Sequence, residues 1–236
     1  MDSREHGRQL QGLLGLTTRP VAVAFRSEVP AGIQHVGPAA PAGCAYWRLA
    51  AEGDVFYTTA EDHMNCPIGA YTHGVTLPEA KAAELNSTIG LMVGLDYIRM
   101  EEVPGIPQLP GPFRYGLYAP LDATPFEPDL VIVRGNARQV MLLSETATAC
   151  ASPSTSPPMG RPACAMIPAT LQGDEGVISL GCIGNRVYTG LSDDELYFTV
   201  RGADLPALVA KIERLKNANQ ELENYHRARL TPSASA

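Results

Sequence analysis

Two short runs of nearly uninterrupted apolar residues, "VAVAF" at 21–25 and "LVIV" at 130–133, constrain this chain more than anything else in it. Each is the length of one strand, and each is bounded by proline or glycine. Such runs read as strands buried in a sheet, because a half-exposed strand would alternate apolar with polar residues. The second run continues through Gly135-Asn136 into "ARQVMLLSETATA", which carries Val140, Leu142 and Leu143 at helical spacing. That is a strand–turn–helix unit of the α/β kind. Further strands are expected in "DVFYTTA", "FRYGLYAPL" and "ELYFTVRG", and two more around a glycine turn in "GVISLGCIGNRVYTGL". Helices are expected in residues 9–16, in "GCAYWRLAAEG" ending at Gly53, and in "LPEAKAAELNSTIGLMVGL". Asp204 caps a last helix with Pro206 in its first turn, and Leu205, Leu208, Val209, Ile212, Leu215, Leu222 and Tyr225 form its apolar face. The expected architecture is α/β or α+β: a mixed sheet flanked by helices, with a long amphipathic helix at the C-terminus. Residues 1–230 read as one domain and 231–236 as a disordered tail.

Charge and hydropathy exclude several classes of function. Lys and Arg total 18 against 25 Asp and Glu, a net charge of −7 with no basic stripe, so the phosphate backbone of nucleic acid is a poor partner. No stretch has the length of uninterrupted apolar residues that a membrane span needs, and residues 1–16 lack the pattern of a secretory signal. The expected location is the cytoplasm. Five cysteines in a reducing compartment point to thiols or ligands, not disulfides.

Chemistry concentrates in "AEDHMNCPIGAYTHG", residues 60–74, which sets two histidines and a cysteine around a Cys-Pro turn. Cys66 shares a local style with Cys44, Cys164 and Cys182. Each follows a small or polar residue and sits at an expected element boundary, where free backbone N–H groups stabilise a thiolate. Thiolate is what a soft metal or an iron–sulfur cluster requires. No C-x-x-C pair is present, so any shared site must gather four distant segments. The competing reading is that each is a small buried hydrophobe. Cys150, beside the polar "CASPSTSPPMGRP" loop, stands apart.

The segments "RPVAVAF", "GCAYWRLAAEG", "NCPIGAY", "PDLVIVRGNARQVMLL", "GRPACAMIP" and "GCIGNRVYTGL" together resemble the domain-of-unknown-function family one-six-nine. The likeness runs in order from the first strand to the last helix. It takes in Cys44, Cys66, Cys164 and Cys182 but not Cys150, and it implies one shared site among those four.

The function expected from the residues is binding of an iron–sulfur cluster, or another thiolate-held metal, through those four cysteines, with chemistry of lyase or sulfur-transfer type. His63, Tyr71, Asn185 and Arg186 are the candidates for contacts to the cofactor: an imidazole, an aromatic wall and two hydrogen-bond donors. A haem or small-metabolite module walled by Tyr46, Trp47 and Tyr71 is the first alternative. A thiol enzyme with Cys66 as nucleophile and His63 or His73 as base is the second. The C-terminal helix either packs on its own domain or pairs with a second copy, so a homo-oligomer is among the expected states. No dinucleotide fingerprint, phosphate-binding loop or serine-hydrolase elbow is present.

Overall fold

A computed structural model describes residues 2–37, 42–111, 113–150, 161–173 and 176–230. The expected tail, 231–236, and most of the polar loop, 151–160, lie outside the described residues. In chain order the elements are α1 (Ser3–Leu14), β1 (Val21–Arg26), β2 (Gln34–His35), α2 (Ala45–Glu52), β3 (Phe56–Thr59), α3 (Pro67–Thr72) and α4 (Glu79–Gly94). These are followed by β4 (Tyr115–Pro120), β5 (Leu130–Asn136), α5 (Ala137–Cys150), α6 (Met166–Gln172), β6 (Val177–Ser179), α7 (Ile183–Thr189), β7 (Glu195–Arg201) and α8 (Leu205–Leu230).

The seven strands form one sheet in the order β2-β3-β4-β1-β5-β7-β6. Only β2–β3 is parallel; the other neighbours are antiparallel, so the sheet is mixed as expected. Side chains alternate between two cores. Val21, Val23, Leu130, Ile132 and Tyr197 point to one face, under Tyr46, Trp47, Met166 and Ile167. Ala22, Val131, Val133, Phe198 and Val200 point to the other, under Leu10, Leu143, Leu205, Leu208 and Ile212. Covering on both faces is why β1 and β5 read as continuous apolar runs. One face therefore carries α1, α5 and α8; the opposite face carries α2 and α6, with α7 packed on α2.

Local chemistry sets the boundaries. Asp2 Oδ1 accepts from Arg4 N at 3.0 Å to cap α1, and Gly15 closes that helix at φ 64. Strand β5 runs into α5 without an intervening turn. Asn136 Oδ1 accepts from Gln139 N at 3.0 Å while Gln139 Oε1 accepts from Asn136 N at 2.8 Å, a reciprocal cap.

Three expectations are corrected. The second strand expected in "GVISLGCIGNRVYTGL" is helix α7, because the strand ends where Gly181 turns to φ 72, and Cys182 becomes the helix N-cap. Asp204 does not cap α8; it sits in the preceding 3₁₀ turn, Gly202–Asp204, and its carboxylate accepts from Arg201 Nε at 2.6 Å. The apolar face of α8 is buried only from Leu205 to Ile212, while Leu222 and Tyr225 are more than half exposed. By contrast α4 forms as expected yet buries no residue.

Truncating Leu208→Ala should therefore cost about 2–4 kcal/mol in urea unfolding, as for other buried leucines, whereas Leu222→Ala should stay within about 0.5 kcal/mol.

Candidate functional site

Every one of the four cysteines stands at the start of a helix or in the turn that leads into one. Cys44 and Cys182 are the N-caps of α2 and α7, Cys66 is the N-cap of α3, and Cys164 lies in the 3₁₀ turn Ala163–Ala165 before α6. Those helices pack on the same side of the sheet, and Cys44, Cys164 and Cys182 all lie against its core. The four thiols come close enough that each of the six pairs interacts electrostatically. Cys150 is exposed at the end of α5, with its Sγ on the Ala207 carbonyl at 3.5 Å, on the opposite face.

Small residues make the gathering possible. Gly181 has a φ of 72, and a Cβ there would fall 2.7 Å from Leu191 Cδ2. At Gly43 a Cβ would stand 3.1 Å from His63 Nδ1. The preference for a small residue before these two cysteines is thus a matter of space as well as backbone conformation.

The four thiols keep some accessible surface, but burial governs the ionisation of Cys44, Cys66 and Cys164. Burial, then repulsion from Cys66, pushes Cys44 up to about 12. Cys164 is raised further by burial, partly opposed by Thr72. Cys66 is also raised by burial, though the N–H groups of Gly69, Gly43 and Ile68 pull the other way; the Gly69 N–H donates to its Sγ at 3.3 Å. Without a cation Cys44, Cys66 and Cys164 stay neutral thiols, since burying thiolates uncompensated is costly.

Five buried side-chain atoms among the described residues have no hydrogen-bond partner: His63 Nδ1, His73 Nε2, Tyr118 Oη, and Asn185 Nδ2 and Oδ1. All lie on the cysteine side of the sheet. Asn185 faces Cys44 and the Tyr197 hydroxyl closely enough to lower both, yet neither amide atom reaches hydrogen-bonding geometry. A buried polar group left open costs roughly 1–3 kcal/mol, so an Asn in this position is better accounted for beside a polar or charged ligand than in a plain core.

His63 and His73 are neutral. Burial holds His73 down at about 4, and burial followed by repulsion from His73 holds His63 well below its ordinary value. Gly69 O can only accept, so His73 Nδ1 carries the proton and donates to it at 2.8 Å, which leaves Nε2 as a bare lone pair. The two rings lie 4.9 Å apart, enclosed with Phe113, Tyr46 and Tyr118.

The other expected residues fall elsewhere. Tyr71 spends its hydroxyl on Val103 O at 3.3 Å. Arg186 donates to the carbonyls of Ser192 at 2.7 Å, Leu180 at 2.6 Å and Glu195 at 3.3 Å, so it clamps α7 to its neighbours and has little left for an anion. Tyr46 is fully buried against Phe56, His63 and Tyr118, whereas Trp47 packs edge-on against Tyr197 at 5.5 Å. Those neighbouring aromatics face different surroundings and do not wall one pocket with Tyr71. Tyr197 and Thr72 were not expected; they come to the thiols from a strand and a short helix, and neither carries a local signal.

The family model for DUF169, described as uncharacterised ArCR, COG2043, matches residues 9–211. This chain belongs to the DUF169 family. The match takes in every strand of the sheet and all four gathered cysteines. No curated protein and no solved structure matched the chain.

The neutral histidines make stability depend on pH with a definite sign. In the unfolded chain an imidazole takes up its proton near 6.5, but folded His73 does so only near 4. Between those values the unfolded state binds more protons, so stability falls as pH drops through that window. From about pH 7 to about pH 5 the metal-free protein should lose on the order of 2 kcal/mol through His73, with His63 adding a loss of the same sign, read from urea midpoints.

Proposed function

We propose that this DUF169 protein holds an iron–sulfur cluster through Cys44, Cys66, Cys164 and Cys182. One observation carries the reading: four thiols from four separated segments meet on one face of the sheet, each within electrostatic reach of the other three.

The arrangement favours a cluster over a lone ion. Thiolates on one tetrahedral ion lie about 2.3 Å from it, which sets the sulfurs roughly 3.8 Å apart. Among the described residues no group of three or more His, Cys, Asp and Glu is placed to hold a metal ion in that way. A polynuclear cluster takes its sulfur ligands at wider spacing. Its iron would supply the positive charge that Cys44, Cys66 and Cys164, all raised by burial, lack, and loading would release thiol protons. Asn185, with both amide atoms open beside Cys44, is suited to donate to a thiolate or to cluster sulfide once charge is present. A cluster kept by three of the thiols would leave an iron position for substrate, the feature that lyase and sulfur-transfer chemistry uses.

The alternatives draw less support. His63 is 1% exposed and enclosed by rings, so no face of it is offered to haem. Cys66 is raised by burial, the reverse of what an activated nucleophile needs. A thiol quartet also suits the reducing cytoplasm, and no helix among the described residues is long and apolar enough to cross a membrane. Exposed Ile183, Val187 and Tyr188 on α7 and Leu222 and Tyr225 on α8 favour a homo-oligomer over a monomer in solution.

Protein purified without oxygen should be brown and contain iron and acid-labile sulfide in near-equal amounts. Serine at any one of the four positions should reduce both several-fold, while Cys150→Ser should leave them unchanged. Colourless, iron-free protein from iron-replete cells, or equal loading of all five variants, would overturn the proposal.

A further inference from the structure

A second site is separable from the thiols. A cleft of about 320 Å³ opens between the segment leading into β1, helix α2, strands β5 and β7, and the end of α7. Its floor is apolar, made by Val21, Trp47, Ile132 and Tyr197. Its rim carries Arg19, Arg48 and Arg134 from three different segments, with Glu52 the one carboxylate among the described residues of the lining. Each arginine has a carboxylate near it, Asp122, Glu52 and Glu195 in turn, so what the cleft offers an anion is set by the N–H donors those pairs leave open.

The three arginines are not equally committed. Arg134 is spent: it pairs with Glu195 and donates to Gly190 O at 2.7 Å. Arg19 gives Nε and Nη2 to the same oxygen of Asp122, at 2.9 and 2.7 Å, and no hydrogen bond of its Nη1 is found among the described residues. Arg48 is half-exposed, and its only ion pair among the described residues, with Glu52 one turn on, is loose at 3.7 Å, beyond hydrogen-bonding distance. Guanidinium donors thus remain open at the mouth of an apolar slot. Planar N–H forks match carboxylate and phosphate oxygens, and the apolar floor favours a ligand with a hydrocarbon body. The volume lies at the lower end for small-molecule sites, which limits the ligand to metabolite size.

We propose that this cleft binds a small organic anion, a carboxylate or phosphate carried on an apolar body, with Arg48 and Arg19 on the charged group and Trp47 and Tyr197 against the body. The cleft lies next to the thiol site: Tyr197 forms part of the floor and also feels Cys44, and Trp47 is one turn along α2 from Cys44. The inference rests on the cleft alone and does not require a cluster to be bound.

Trp47 is the only tryptophan in the chain, so its fluorescence reports on the cleft directly. Benzoate and phenyl phosphate should each give a saturable change that weakens as salt is added, while neutral benzyl alcohol gives none. Arg48→Gln, at a half-exposed position that folding does not depend on, should weaken binding about tenfold, as expected for a charge-assisted hydrogen bond. Ala51→Leu, which fills the slot, should abolish it. Protein stripped of iron with a chelator should give the same titration, which separates failure of this site from failure of the thiol reading. No saturable change with either anion up to about 10 mM, binding of benzyl alcohol as tight as that of benzoate, or unchanged affinity in Arg48→Gln would overturn the proposal.

Discussion

The structure depends on the covering of one mixed sheet from both sides. β1 and β5 sit at its centre and send alternate side chains into two separate cores, so neither face can be left to water. The two coverings differ in kind. Helices α1, α5 and α8 give one face long, continuous packing. On the other, helices of six to eight residues bring their N-terminal ends together. Short helices contribute little stability of their own. That face is held by the aromatic core around Tyr46 and Trp47 and by polar clamps such as Arg186, which frees the helix starts to carry thiols.

A face built in this way carries its unmet polar groups where the short elements meet. Asn185 and the two histidines leave four open atoms around the cysteines, and Gly69 ties the two sets together. Its N–H donates to Cys66 and its carbonyl accepts from His73, so one residue positions both the thiol and the imidazole. Enclosure keeps both histidines neutral. A chain that only needed to fill this volume would do so better with leucine and phenylalanine.

Much of the scaffold is legible in the sequence because local and global signals agree there. "VAVAF" and "LVIV" are central strands, and Gly53 ends its helix where punctuation by glycine says it should. Disagreement appears where glycine is frequent and elements are short. "GCIGNRVYTGL" has neither strand nor helix period, and it takes tertiary context, with Gly181 turning the chain, to make it α7. The long face of α8 is misleading in another way: periodicity reports what a helix is able to bury, not how far the domain extends beneath it. The small-residue style of the four cysteines is visible residue by residue. Their meeting is not, since no spacing encodes contact among four distant segments, and the same holds for Arg19, Arg48 and Arg134 around the cleft.

The central claim is that the four thiols act together as ligands of one cluster. Iron X-ray absorption on protein isolated without oxygen examines the bonds themselves. One cluster on these thiols gives a first shell of sulfur alone and a second shell of iron, which requires more than one metal held by thiolate and sulfide. A first shell of nitrogen and oxygen, or a lone iron with no iron neighbour, would contradict it.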